Sequence, residues 1–584
     1  MRIEIGNAYS VLEGADSQTL KLVDEALALK KPGYFFSPSF RNGFWDGKEH
    51  FFDKKSNSFP TGLLTHVKVA LSLVEGVEDI EKVNVNIEDT RKLRDIPVEE
   101  SIELFEPDEP GGIITLRDYQ YDAVNAAVRQ FRGIVNVATN GGKTEIASGI
   151  IKQILPHLKP SETILFVTHS KEIFHQSAAR IEKRLNIRVG KVGDGSWDVK
   201  PVTLVMVPTV SKYISKPTEK SISYTKEMKG VRFVVELLKD SIAKGLGNRK
   251  QMIDAVRVLT QTVESDEDKK FHDEEAAIDI LTEIITSNKD NDSCLKQFEV
   301  LKKDLKKYQD KKIKAALKKH EEVLKFLGSA FCFIGDEVHH ASSTSWYDTL
   351  MLCHNAAYRI GLTGTIDRKD EINFMRLLGC MEDTLTKISN DFLIKRGFSA
   401  KPTIYLETIN TPSIDGKASW QEAYRLGIVE NEHRNQRIAE KVANRYEAGK
   451  GCLVIVNHMK QGELLKGLLD KMGVECEFTN GSRTSDDRLD ILDDMKKGKL
   501  KVLIATSILD EGVDISGINC LWMGAGMKSF RQILQRVGRG LRKKEDGSGL
   551  EVYDFLDLHN PHLAKHTMER YQYYKDENFD IEKV

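Results

Sequence analysis

The chain has 584 residues, 40% hydrophobic and 30% charged, with 86 Lys and Arg against 88 Asp and Glu for a formal net charge of −2. At the usual ~100–200 residues per domain this points to about three or four domains, with too much apolar material for a disordered chain. Near neutrality excludes a surface coated in positive charge, so any nucleic acid would have to be held by local patches.

The opening stretch MRIEIGNAYSVLEGADSQTL has no basic region leading into an apolar one, and no run of about 18 apolar residues occurs. The expectation is a soluble cytoplasmic protein without membrane contact. Seven scattered cysteines (Cys294, Cys332, Cys353, Cys380, Cys452, Cys476 and Cys520) show no CxxC or Cys/His spacing and read as reduced thiols, not as a disulfide or zinc framework.

Residues 1–94 form a first unit. An amphipathic stretch at 19–29 precedes the aromatic segment GYFFSPSFRNGFWDGKEHFF at 33–52, and apolar spacing predicts a helix in PTGLLTHVKVALSLVEGV. Composition turns acidic and Pro/Gly-bearing over 95–112, which reads as a linker.

Over 113–396, β-branched runs beginning at Ile134, Thr163, Val202, Phe331 and Tyr358 alternate with helical sequence. A second series over 397–560 begins at Cys452, Cys476, Lys501, Cys520 and Glu551. Such alternation predicts two α/β domains, each a buried parallel sheet with helices on both faces. Between about 214 and 327 the rhythm stops, and charged, helix-favouring sequence predicts a helical insertion in the first of them. Its lysine-rich end, Lys302 to Lys319, reads as a solvated hairpin or as a duplex contact. Residues 561–584 read as a helical tail.

Three motifs carry chemistry. VATNGGKT at 137–144 follows a strand run and precedes a helix, the context of a phosphate-binding loop. Backbone N–H groups of Thr139, Asn140, Gly141 and Gly142 would face phosphates, Lys143 would neutralise the β/γ charge, and Thr144 would offer its hydroxyl to Mg²⁺. Val137 stands where the usual pattern has its first Gly, and Asn140 tolerates positive φ well enough for the loop to turn. FIGDEVHH ends a strand run in Asp336, which would hold the metal through its water shell, and Glu337, which would deprotonate an attacking water. QILQRVGRGLR at 532–542 puts Gln535, Arg539 and Arg542 on one helical face, suited to a γ-phosphate. Two glycines in that helix argue against a mere solvated surface, since each costs about 1 kcal/mol relative to Ala.

Together with LRDYQ at 116–120, LTGT at 362–365 and ATSILDEGVDI at 505–515, these motifs occur in the order seen in superfamily 2 helicases, which the chain resembles over about 450 residues. The resemblance implies two RecA-like parallel-sheet lobes, a small α+β N-terminal domain and a helical insertion in the first lobe. ATP would lie between the lobes, with nucleic acid across them. It further implies that Arg117 and Gln120 serve the adenine, that Thr363 and Thr365 couple the ATP site to the strand, and that His339 links the carboxylates to the second lobe. Thr506 would touch a phosphate of the strand, Gly512 and Asp514 would sense nucleotide state, and Arg539 and Arg542 would act across the cleft. The stretch at 33–64 and the junction RGFSAKPTI narrow the resemblance to UvsW-type phage recombination helicases, whose N-terminal domain helps grip branched DNA. Aromatics in so small a domain are read as its core, leaving Arg41 and Lys48 as contacts.

The implied function is ATP-dependent unwinding or remodelling of branched or single-stranded DNA, with RNA–DNA hybrids as a further substrate. The protein would be a monomer in the host cytoplasm, working with recombination or single-strand-binding proteins in recombination, fork rescue and repair. An RNA helicase is the alternative within enzymes, because backbone contacts do not reveal the sugar. A non-catalytic branched-DNA adaptor is the alternative outside them.

Overall fold

The computed structural model describes residues 1–218, 291–364, 366, 368, 370–399, 401–481, 485–506, 518–526 and 549–584. The chain divides into two compact units, Met1–Thr209 with Gly328–Val584, and Val210–Leu327. Within the second, the helix Asn291–Gly328 makes up most of the described part, and its His320 Nδ1 lies 2.7 Å from the Tyr213 carbonyl oxygen. The rest of the expected insertion, 219–290, lies outside the described residues.

The N-terminal strands are β1 (Arg2–Ile5), β2 (Tyr9–Glu13), β3 (Ala28–Lys30), β4 (Lys48–His50), β5 (Ser58–Pro60) and β6 (Asn86–Asp89). Four of them form a mixed sheet in the order β5-β2-β1-β6, while β3 and β4 make a separate antiparallel pair. Helices α1 (Ser17–Ala26) and α3 (Leu64–Glu75) cover the sheet, with α2 (Pro38–Arg41) in the loop between β3 and β4. Asp16 caps α1 by accepting from the Thr19 amide at 2.7 Å. The aromatics divide, which corrects their reading as core. Phe51, Phe52 and Phe59 are buried, whereas Phe35, Phe36 and Phe44 face solvent. The unit also shares its core with Ile372, Met375 and Leu378 of the helix Glu371–Met381.

The segment read as a linker is packed structure. Strand β7 (Glu103–Phe105) pairs antiparallel with β8 (Ile113–Thr115), and Ile96, Ile102 and Leu104 are buried in the first lobe. Its Pro/Gly signal is the hairpin turn, closed by a 2.9 Å hydrogen bond from the Glu106 amide to the Gly112 carbonyl.

The first lobe holds β9 (Arg132–Val137), β10 (Thr163–Thr168), β11 (Gly190–Gly193), β12 (Ser196–Asp198), β13 (Val202–Met206), β14 (Ala330–Asp336), β15 (Tyr358–Thr363) and β16 (Thr384–Ile388). Their order is β12-β11-β13-β10-β14-β15-β9-β16, parallel except at the β12 edge. The second lobe holds β17 (Thr403–Ile409), β18 (Cys452–Val456), β19 (Cys476–Thr479), β20 (Val502–Thr506), β21 (Cys520–Trp522), β22 (Glu551–Asp557) and β23 (Asp580–Lys583), in the order β19-β20-β18-β21-β22-β17-β23, all parallel. Strand β23 corrects the expected helical tail: after the helix Pro561–Asp576 the chain returns and pairs with β17. Every β-branched run expected to be buried is a sheet strand, and both lobes are RecA-like. No described helix is long and apolar enough to cross a membrane.

Candidate nucleotide site

The carboxyl edge of the first sheet builds the site, because open parallel sheets leave a crevice where their strands end. From β9 the chain turns through Ala138–Gly142 into α5 (Lys143–Ile154). Asn140 adopts φ 68° and Gly142 φ 84°, so the loop turns twice through the left-handed region. A Cβ on Gly141 would stand 2.4 Å from Val137 Cγ1 and 3.0 Å from the Ala138 carbonyl oxygen. Val137, the departure from the usual pattern, therefore packs where only glycine fits opposite.

Helix α4 (Asp118–Gln130) supplies the neighbouring wall. The Arg117 amide donates to Gln120 Oε1 at 3.0 Å, and Gln120 Nε2 donates to the Gly141 carbonyl at 3.1 Å. Gln120 is thus tied to the phosphate loop at one end and to its own helix start at the other. The Arg117 guanidinium lies 4.0 Å from the Phe398 ring centre, and Tyr119 packs edge-on against Phe392.

Two strands away, β14 delivers Asp336 and Glu337. Glu337 sits at φ 47°, a strained position for a non-glycine residue, and its amide donates to Asp336 Oδ1 at 3.0 Å. Lys143 Nζ makes a close ion pair with Glu337 Oε1. His339 Nδ1 lies 3.4 Å from Glu337 Oε2 and 3.1 Å from Thr363 Oγ1, at the end of the intervening β15. Burial alone would raise the Glu337 carboxyl, but the Lys143 charge and the His339 ring outweigh it and hold the group below the ordinary carboxylate range.

These groups line one cleft of about 1010 Å³, whose walls include Arg117, Gln120, Thr139, Asn140, Gly142, Lys143, Thr144, Asp336, Glu337 and Phe398. Its side wall is an ionic network absent from the motif reading. Glu145, in the first turn of α5, accepts from Arg180 Nε at 2.9 Å and from Arg184 Nη2 at 3.3 Å, both on α6 (Lys171–Leu185). Glu106 pairs with Lys183 and Arg184, which hold its carboxyl down to about 2. Phe398 stands in the junction RGFSAKPTI outside every motif; the local signal for it is an aromatic just past the glycine turn at Gly397 (φ 73°).

For a divalent cation the chemistry fits: the Thr144 hydroxyl and Asp336 carboxylate are hard oxygen donors on the same cleft. Among the described residues no cluster of three or more His, Cys, Asp or Glu could hold a metal.

In the second lobe Thr506 ends β20, opposite Val456, and is buried. Thr365, Gly512, Asp514, Gln535, Arg539 and Arg542 lie outside the described residues. Arg41 lies in the β3–β4 connection and Lys48 opens β4, and neither lines the cleft. Buried Arg434 donates to the Gly524 carbonyl at 2.6 Å and to Asp557 at 3.0 Å, and Arg570 donates to the Gly526 carbonyl at 2.9 Å. This pair fixes the strand end that leads toward 532–542, and its charged residues carry no local motif.

Two RecA-like lobes with a phosphate loop facing paired carboxylates define a nucleotide-binding motor fold. Residues 113–235 and 238–368 match the family described as Type III restriction enzyme, res subunit, and 434–544 match the helicase conserved C-terminal domain. By these two matches the chain belongs to the superfamily 2 helicases, and within them it is similar to the UvsW type. ATP-dependent DNA helicase uvsW of Enterobacteria phage T4 is 22% identical over 268 residues, covering 42% of this chain and 53% of that protein. DNA 3'-5' translocase XPB2 of Sulfurisphaera tokodaii is 23% identical over 466 residues, covering 74% and 80%. The chain spans about half the length of the first curated relatives it matches. The crystal structure of T4 UvsW aligns with 16% identity and a TM-score of 0.41, over 100% of this chain and 99% of that one.

Proposed function

We propose that the chain is an ATP-dependent DNA helicase or translocase that unwinds or remodels branched DNA in recombination, fork rescue and repair. The observation that carries this reading is the convergence of Lys143, Asp336 and Glu337 on one cleft, with Glu337 joined through His339 to Thr363.

The chemistry follows from the ion pair. Without nucleotide, Lys143 neutralises Glu337. A γ-phosphate entering the loop competes for Lys143, and a carboxylate that loses its cation in a buried site becomes a stronger base. Glu337 then takes a proton from the water that attacks the γ-phosphorus, the bond to the β–γ bridging oxygen breaks, and ADP and phosphate result. Mg²⁺ held by Thr144 and Asp336 would neutralise charge on the phosphate oxygens. Arg117, Gln120 and Phe398 would hold the base, and Arg539 and Arg542 would approach the γ-phosphate from the second lobe. His339 and Thr363 carry the change at Glu337 to the end of β15, and each cycle would shift the lobes along a strand.

Strand contacts, with Thr506, Arg41 and Lys48 among them, would go to phosphates, giving little sequence preference and a steep salt dependence. The test is hydrolysis and unwinding by Lys143→Ala on matched DNA forks and RNA duplexes. Lost turnover with retained DNA binding is expected, and equal loss of both would contradict these roles. Better unwinding of RNA by the wild type would assign the chain to RNA instead.

A further inference from the structure

We infer that the 31–47 loop is a stacking surface for unpaired bases at a DNA branch, with Phe35, Phe36 and Phe44 as its platform. The inference rests on the DNA reading above and names the part of the substrate that the N-terminal unit would hold.

The loop is built, not merely exposed. Strands β3 and β4 close it, pairing Ala28 with His50 and Lys30 with Lys48. Inside it, the rings of Tyr34 and Phe40 meet edge-on at 4.7 Å. A Cβ on Gly47 would lie 2.6 Å from the Tyr34 ring, so glycine is what lets that small core close. Trp45 Nε1 donates to the Lys48 carbonyl at 2.8 Å, and Arg41 Nε donates to the Phe35 carbonyl at 3.0 Å.

Against this ordered frame three phenyl rings stay in water: Phe35 is 52% exposed, Phe36 68% and Phe44 85%. The same stretch of chain buries Phe51, Phe52 and Phe59. Burying an aromatic stabilises a fold, so three exposed rings within ten residues of one ordered loop are surface available to a partner.

Charge identifies that partner. Residues 28–58 carry six Lys or Arg against three Asp or Glu, in a chain whose net charge is −2. Lys31 pairs with Glu49 and Lys54 with Asp24, whereas Lys30, Arg41, Lys48 and Lys55 form no ion pair among the described residues. Apolar π-faces set among cations that make no ion pair match single-stranded nucleic acid, whose bases stack while its phosphates pair with the cations. Phenylalanine has no hydrogen-bonding edge, so the surface would accept any base. A paired duplex hides its base faces, which ties the surface to the branch.

The experiment compares the full-length wild type with the variant Phe35→Ala/Phe36→Ala/Phe44→Ala by fluorescence anisotropy. The DNAs are a fork with two single-stranded oligo-dT arms and a blunt duplex of equal length, at one salt concentration. The variant should melt at the wild-type temperature, since the rings are exposed. It should bind the fork at least about 10-fold more weakly and the duplex equally well. A Phe44→Trp variant should keep fork affinity and show indole quenching on oligo-dT. Equal fork affinity of triple variant and wild type, or an unquenched indole, overturns the inference and leaves the platform to a protein partner. A wild type that binds no DNA at all would instead defeat the helicase reading beneath it.

Discussion

Replacing Gly142 by alanine tests how the phosphate loop is held. At φ 84° an alanine pays for the left-handed conformation, about 1–2 kcal/mol. Its Cβ would also stand 2.2 Å from Gln120 Nε2, so the buried amide must move. Moving it breaks the 3.1 Å bond to the Gly141 carbonyl and loosens the 3.0 Å bond from the Arg117 amide. At about 1 kcal/mol each, these raise the total to about 3–4 kcal/mol. If all of it falls on the nucleotide-competent loop, ATP affinity drops by roughly 100-fold or more. Gly449→Ala is the control, because its φ is 75° yet nothing lies within 4 Å of a Cβ there. It carries the backbone cost alone, in the other lobe. Titration with a fluorescent ATP analogue gives the affinities, and chemical denaturation gives the stabilities. If Gly142→Ala loses no more stability than Gly449→Ala and still binds ATP normally, the packing of Gln120 on the loop has been misjudged.

Other outcomes are equally specific. Asn140→Gly should leave hydrolysis intact and stability unchanged or up by as much as about 1 kcal/mol, since φ 68° strains asparagine only mildly; a large loss of turnover would mean its side chain has a role in the reaction. Glu145→Gln should destabilise the first lobe by about 2–3 kcal/mol in denaturation curves, because it removes one of the two carboxylates that balance buried Arg184 and also the partner of Arg180; a neutral result would mean Glu106 suffices. His50 sits 2.7 Å from Asp24 and 2.9 Å from Asp46; burial would lower its pKa, yet the two carboxylates raise it above 6.5. A raised histidine stabilises the fold below its unfolded value and loses that contribution as pH climbs through the folded one. The melting-temperature gap between wild type and His50→Gln should therefore be widest near pH 6 and close at higher pH, and a gap that widens with pH would refute the assignment.

Periodicity made the two sheets legible. Runs such as ILFV at 164–167 and CLVIV at 452–456 are apolar on every residue, which only a strand buried on both faces tolerates. Short edge elements were not legible. Strand β23 (Asp580–Lys583) has three charged residues in four and exposes most of them, so nothing local distinguishes it from a polar tail. The Pro/Gly cluster at 107–112 reads as a break between domains, because a hairpin turn and a linker share one composition. Spacing singles out Lys143, Asp336 and Glu337 as candidates because Asp336 and Glu337 stand at the end of a strand and Lys143 opens the helix that follows a strand and its loop. The Glu145–Arg184 and Arg434–Asp557 pairs join residues far apart in sequence, and no local pattern encodes such a contact. Three of the 33–52 aromatics proved exposed for a related reason: composition alone does not distinguish a ring packed on a sheet from one standing on a loop.

The most direct measurement is steady-state ATP hydrolysis by the purified chain. The conditions are no nucleic acid, single-stranded DNA, linear duplex, a fork, a four-way junction and duplex RNA at one fixed salt, with Glu337→Gln as the blank. A branch-remodelling motor predicts turnover stimulated most by the fork and the junction, and none by the blank enzyme on any substrate. Wild-type rates indistinguishable from Glu337→Gln on every substrate would contradict it and leave a DNA-binding adaptor in a helicase fold.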